Sequence, residues 1–255
     1  MISFDQALKF KNEYQKFGFC KIENFFNKDL CKKLKIYSNE IKYQKPVPKK
    51  VMKYYEKNIS NRKKNILMTA EFFYDFHIGL RNLIENKKIH KVLKVLMGGN
   101  CVLFKEKINY KPPGCRADKL HQDSQGGWNI YSRKFISLLI SLEKSTKENA
   151  CLEFDISGNN KSNKIGEDFQ PLLLSDLRKP KFKKIPLNVG DVVFFNHYIP
   201  HRSKPNLSKK GRMQLYITYN LAKDGNFRKK YFKEKRLSYP PNNERTPGLN
   251  FEYKI

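Results

Sequence analysis

Leu120-His121-Gln122-Asp123 and, about 80 residues later, Pro200-His201 supply two imidazoles and one carboxylate. Such a set matches the facial triad of a mononuclear non-haem iron centre, whose remaining positions stay open to a cosubstrate and dioxygen. His121 and Asp123 stand two apart, so on a regular strand both side chains project from one face. The apolar run Val192-Val193-Phe194-Phe195 is a strand able to deliver His201 to the same spot. Eleven residues beyond His201, Arg212 opens a further strand that carries Gln214 and Tyr216 on its face. A guanidinium buried there is costly without an anion. A dicarboxylate cosubstrate would satisfy it through a bidentate, charge-assisted contact. His77, His90 and His197 have no partners at useful spacing and are read as structural or surface residues.

The elements that must hold these residues change character along the chain. Leu8 and the Phe10, Tyr14, Phe17 series recur at helical spacing until Gly18 stops them. Gly18 to Ile22 reads as a short strand, and Asn27 as the cap of a second helix from Asp29. Lys45 to Lys64, with Pro46 and Pro48, reads as an exposed loop. Glu71 to Leu96 supplies two more helices, ended by glycines suited to positive φ. From Cys101 onward, period-two runs read as strands: 101–104, 107–110, 135–142, 151–154, 185–189, 192–195 and 213–220. Residues 156–182 are polar and irregular, and the tail shows no clear periodicity. Helices followed by many short strands at hairpin spacing predict a mainly β jelly-roll, or double-stranded β-helix barrel, with helices packed outside. The expected organisation is one domain over 1–255. Its first part, 1–99, is mostly helical, a barrel core spans 100–222, and a tail covers 223–255.

Composition bounds the function. No run of 18 or more apolar residues exists, so no membrane span is expected. The charged N-terminus lacks an apolar signal core. The five cysteines have no CxxC spacing, which favours reduced thiols in a cytoplasmic protein over a disulfide frame or zinc site. The net charge of +28 admits a polyanion partner such as nucleic acid. Because lysines are spread along the whole length with no stripe or nucleic-acid motif, it reads instead as a lysine-rich background on solvated faces.

The combination of Lys111-Pro112-Pro113-Gly114, His121-Gln122-Asp123, Glu148-Asn149-Ala150-Cys151-Leu152, Gly190-Asp191-Val192-Val193-Phe194-Phe195, His201 and Arg212 resembles the phytanoyl-CoA dioxygenase family across residues 100–220. That resemblance implies an Fe(II)- and 2-oxoglutarate-dependent oxygenase, with dioxygen as the other cosubstrate. His121, Asp123 and His201 would bind iron, and Arg212 would pair with the distal carboxylate of 2-oxoglutarate. Lys105, Asn109 and Ser203 fall where the family contacts its cosubstrate, and Asn206 matches another small polar position. Gln125 and Trp128 fall where the family lines its substrate pocket, although Trp128 reads equally as core. Lys107, Arg116 and Arg202 would suit an anionic head group. Two departures stand out: Ala150 replaces a usual glycine, and residues 156–160 lose the family's loop character. The retained carboxylate Asp123 favours hydroxylation over halogenation. Segments 104–111 and 126–128 look like bacterial members acting on small metabolites, with organophosphonates such as 2-aminoethylphosphonate among them. The rival readings are an oxygenase acting on nucleic acid or another polyanion, and a barrel that binds without turnover.

Overall fold

The computed structural model describes residues 4–249 and 251. Its helices are α1 (Phe4–Phe17), α2 (Lys28–Tyr43), α3 (Ile78–Ile84), α4 (Lys87–Met97) and α5 (Arg228–Ser238). Its strands are β1 (Phe19–Ile22), β2 (Met52–Lys57), β3 (Asn65–Glu71), β4 (Cys101–Asn109), β5 (Asp118–His121) and β6 (Phe135–Ser141). They continue with β7 (Glu153–Asp155), β8 (Phe182–Lys184), β9 (Val192–Asn196), β10 (His201–Ser203) and β11 (Gln214–Leu221). Seven strands form one sheet in the order β1-β9-β6-β11-β4-β3-β2, and β5-β10-β7-β8 form a second. Every pairing between these strands is antiparallel, as in a jelly roll.

Alternation along the central strands divides the core. Ile136, Leu138 and Ile140 of β6, with Val192 and Phe194 of β9 and Leu215 and Ile217 of β11, pack against the helices. The opposite face, bearing Leu139, Val193 and Phe195, meets Phe154 and Leu152 between the sheets. Both faces of β6 are therefore buried, which explains its near-continuous apolar sequence. Helix α4 covers the large sheet with Ile89, Val92, Leu93, Leu96 and Met97, an apolar stripe at helical spacing. It ends at Gly98, whose φ of 76° is the left-handed cap expected of a glycine there. Asn27 caps α2 as its position predicts, accepting a bond from the Leu30 amide at 2.9 Å. At Gly190, φ is 92° and an added Cβ would lie 2.3 Å from the Phe26 carbonyl oxygen, so only glycine fits this entry into β9.

Three expectations need correction. The stretch from Lys45 to Lys64 contains β2, which extends the large sheet through β3. Lys53 in it is buried, its ammonium bonded to the Lys42 carbonyl at 3.1 Å. The strand expected over 185–189 lies earlier, at β8, and Leu187 makes only an isolated bridge to Ser145. Pro186 has no amide to give a ladder there. The tail expected to lack periodicity holds α5, anchored by Arg228. That guanidinium reaches both Glu106 oxygens, at 2.9 and 2.5 Å, and Asp75 at 2.8 Å. Both the tail helix and strands from before residue 100 thus join the barrel elements. Among the described residues no helix is long and apolar enough to cross a membrane.

Ala150, where the sequence departs from glycine, has φ of 65°. A side chain in the left-handed region costs about 1–2 kcal/mol, part of which glycine's larger unfolded-state entropy offsets. Ala150→Gly is therefore expected to stabilise the fold by about 0.5–1 kcal/mol and raise Tm by roughly 1–2 °C. Calorimetry showing an unchanged or lower Tm would refute strain at this turn.

Candidate metal centre and adjoining cavity

His121 ends β5 and His201 begins β10, and the antiparallel register sets them directly opposite. Their ring centroids are 4.3 Å apart. Asp123, just past β5, completes a cluster whose ligand atoms all lie within 4.8 Å of one another. Each imidazole is oriented from behind. His121 Nδ1 donates to the Lys119 carbonyl at 2.7 Å, and His201 Nδ1 donates to the Ile199 carbonyl at 3.0 Å. Both bonds select the tautomer that leaves the Nε2 lone pair facing the cluster. Asp123 Oδ2 accepts from the Ser137 hydroxyl at 2.8 Å, and its Oδ1 lies 3.9 Å from His201 Nε2. Burial first, and then the charge of His201, lower His121 to about 3, so it stays a neutral ligand at ordinary pH. Burial alone would raise the Asp123 carboxyl, but His201 and His121 hold it below its usual value. Two imidazoles and one carboxylate, with open space beside them, fit a ferrous ion.

Arg212 is fully buried. Its Nε donates to the Ala150 carbonyl at 2.8 Å, and its Nη1 donates to Gln214 Oε1. The Asn149 side chain shapes the turn that presents this carbonyl, accepting from the Thr146 amide at 2.7 Å and donating to Lys144 O at 2.8 Å. Arg212 Nη2 and Gln214 Nε2 are buried with no protein acceptor. Two orphaned donors, one just before β11 and one on its first residue, suit the two oxygens of a carboxylate, as 2-oxoglutarate would present.

A cavity of about 350 Å³ opens beside the triad. His121, Gln122 and Asp123 line it together with Lys105 and Lys107 of β4, Trp128, and Tyr231, Glu234 and Lys235 of α5. Lys105 lies 5.3 Å from the Trp128 ring centre and 3.9 Å from Glu71. Lys107 stands over the Tyr216 ring at 5.0 Å. Asn109 lines a smaller adjoining recess, its oxygen accepting from the Lys111 amide at 3.1 Å. The Ser203 hydroxyl donates to Asp118 at 2.6 Å, and Asp118 also pairs with Lys111 at 3.0 Å. Arg116 is held by Glu56 at 2.8 Å in the recess beside Asn109. Asn206 donates to the Lys111 carbonyl at 3.0 Å, a backbone contact rather than a site contact. Trp128 belongs to both of its readings, packing on Phe104 and Phe135 while lining the cavity.

Two expected substrate contacts fall elsewhere. Gln125 is fully buried and spends its side chain on backbone, accepting from the Gln122 amide at 2.8 Å and donating to the Glu167 carbonyl at 3.2 Å. Arg202 lies between inward-facing His201 and Ser203 on β10, so it points away from the cavity. There it pairs with Glu153 at 3.0 Å and stacks on Phe182. The other histidines take structural contacts. His77 caps α3, His90 meets the Ile84 carbonyl, and His197 is buried against Phe135.

Sequence reasoning passed over Ser137, Gln122, Glu71 and the residues of α5. Ser137 carried a readable signal, one of two small polar residues, with Ser141, on the inward face of a strand that is apolar elsewhere. Gln122 staples the irregular stretch 156–182 to the metal segment, donating to Asn163 O at 2.9 Å and accepting from the Ile165 amide at 2.7 Å.

Comparison with known proteins agrees with this geometry. A family model described as phytanoyl-CoA dioxygenase matches residues 14–214. The 2-aminoethylphosphonate dioxygenase of the uncultured bacterium HF130_AEPn_1 is 32% identical over 94% of this chain and 92% of that protein. The methylphosphonate hydroxylase of Gimesia maris is 30% identical over 87% of this chain and 84% of its own. Among solved structures, EctD from S. alaskensis with 2-oxoglutarate and 5-hydroxyectoine superposes with a TM-score of 0.72 at 17% identity, covering 88% of this chain and 77% of that one. The epimerase SnoN with Fe3+, alpha ketoglutarate and nogalamycin RO gives 0.71 at 13% identity, covering 98% and 94%.

The Ser137 hydroxyl orients the carboxylate of the triad, so its loss should loosen the metal without unfolding the strand. Ser137→Ala is expected to lower Fe(II) affinity by about tenfold, read by metal titration with far-UV circular dichroism unchanged. Wild-type affinity in the variant would remove Ser137 from this role.

Proposed function

The chain belongs to the phytanoyl-CoA dioxygenase family of iron(II)- and 2-oxoglutarate-dependent enzymes, and we propose that it hydroxylates a small anionic or zwitterionic metabolite, an organophosphonate of the 2-aminoethylphosphonate kind. The observation that carries this reading is the cluster of His121, Asp123 and His201, each oriented by its own hydrogen bond, opening onto a lysine-walled cavity.

In this reading His121, Asp123 and His201 hold the iron. Bound iron, with 2-oxoglutarate and dioxygen, supplies the oxidation: one oxygen atom enters the substrate C–H bond and the other enters succinate as carbon dioxide leaves. The chain's own residues bind, orient and exclude water. Arg212 and Gln214 grip the distal carboxylate of 2-oxoglutarate, and Ser203 and Asn109 border that end of the site through Asp118 and Lys111. Lys105 and Lys107 draw the anionic end of the substrate into the cavity, and Trp128 forms an apolar wall that keeps water from the reacting carbon. Glu234 lines the same cavity and offers a carboxylate to a cationic tail. Two relatives whose names specify phosphonates align over most of their length, which supports the choice of head group.

The test is succinate release from 2-oxoglutarate with iron(II) and ascorbate, across a panel of small phosphonates, sulfonates and carboxylates. Turnover should be stimulated by a phosphonate and fall to background in His121→Ala. Arg212→Met should raise the KM for 2-oxoglutarate by roughly thirtyfold or more, because it truncates one partner of a buried charge pair. Stimulation by none of the phosphonates, or iron-dependent turnover surviving in His121→Ala, would defeat the assignment.

A further inference from the structure

The cavity wall opposite in sequence to the metal motif is built by α5, and its charge is unusual. Lys105 and Lys235 share the buried carboxylate of Glu71, the first at 3.9 Å and the second in direct contact. Lys107 lines the same cavity, and none of the ion pairs among the described residues includes it. The Glu234 carboxylate is engaged separately by the Tyr131 hydroxyl. Three ammonium groups therefore meet the Glu71 carboxylate, while Glu234, the second carboxylate of this cavity, is the one that faces the substrate's cationic tail in the reading above.

The iron side leaves no charge to balance that excess. Two positive charges on iron(II) and one on Arg212 match one negative charge on Asp123 and two on 2-oxoglutarate. With Glu234 matched by a cationic tail, the three lysines and Glu71 retain two positive charges, and an unpaired charge in such a cavity is disfavoured. A dianion removes the excess, whereas a monoanion leaves one ammonium unmatched.

We propose that Lys235 is the specificity-determining residue that makes this cavity select a doubly charged tetrahedral head group over a singly charged one. The inference rests on the reading above that the substrate is a small anion. Its geometry comes from α5. Arg228 is fixed to Glu106 and Asp75, Tyr231 packs on Phe104 at 4.7 Å, and Lys235 follows at the next turn. Spacings of three and four residues put all three on one helical face, so the anchor at Arg228 aims Lys235 at the cavity. Its ammonium also lies 5.2 Å from the Tyr54 ring centre, and Tyr54 in turn is bonded to the Tyr239 carbonyl at 3.0 Å. Burial pulls the Lys235 ammonium down to about 7 against the attraction of Glu71, and Lys105 and Lys107 add to that pull. This is an ammonium that an incoming dianion would stabilise.

The experiment compares 2-aminoethylphosphonate with its sulfonate isostere on full-length, iron-loaded wild type, Lys235→Met and Lys235→Arg. KM is measured from succinate release and, independently of turnover, affinity is measured by calorimetry. Wild type should favour the phosphonate. Lys235→Met should raise its KM and dissociation constant by about fiftyfold while moving the sulfonate by less than about threefold, and Lys235→Arg should restore most of the preference. Iron loading and Tm of the variants control for damage to the fold. Equal losses for both ligands, or an unchanged phosphonate affinity in Lys235→Met, would overturn the role of Lys235. If neither compound is turned over, the proposed activity fails, and the calorimetric preference alone decides for or against Lys235.

Discussion

Everything at the metal centre depends on one register. His201 pairs with His121 across β10 and β5, and the same strand pairs His201 with Phe154 on its other side. A slip by one residue would turn Arg202 inward and both imidazoles apart, because strand side chains alternate. The register is held from both flanks. Phe154 and Phe195 close around the His201 ring at 5.6 and 5.4 Å, and Ser203 ties to Asp118 two positions on. The ligands are thus fixed by rigid strands and backbone carbonyls, the arrangement that keeps metal geometry within tolerance.

Charge is managed by enclosure. Arg212 and Arg228 are both buried guanidiniums, with opposite solutions. Arg228 is saturated by Glu106 and Asp75 and serves as a structural rivet. Arg212 has protein partners for only part of its fork, and the remaining donors point to a ligand. Glu71 shows the complementary case. Burial alone would raise its carboxyl, but Lys105, Lys235 and Lys107 bring it down to about 2, so it stays ionised within the wall.

The metal site was legible in the sequence because ligand chemistry allows few residue types and strands allow few spacings. His121 ends β5 and His201 begins β10, as spacing suggested, whereas Asp123 lies in the turn just past β5 and Arg212 two residues before β11. The helix stripes and the parity of β6, β9 and β11 were legible for the same reason of period. What escaped notice has a common physical cause: polar residues doing interior work. Lys53 looks like a surface lysine but caps carbonyls in the core, which disguised β2. Gln125 stands beside the motif yet satisfies backbone. Helix α5 buries only Arg228, Tyr231 and Phe232, so no apolar stripe announced it. Lysine abundance hid the few lysines that face the cavity among many that face water.

The attachment of α5 has a consequence for how such an enzyme can diversify. The helix contributes a wall of the cavity but no strand to either sheet and no ligand to the metal cluster. It is joined to the barrel through a buried salt bridge and an aromatic cluster, neither of which includes His121, His201 or the carbonyls that orient them. Part of the cavity wall therefore sits on a stretch of chain separate from the strands that carry His121 and His201. Substitutions along α5 can reshape that part of the cavity while the strands around His121 and His201 stay unchanged.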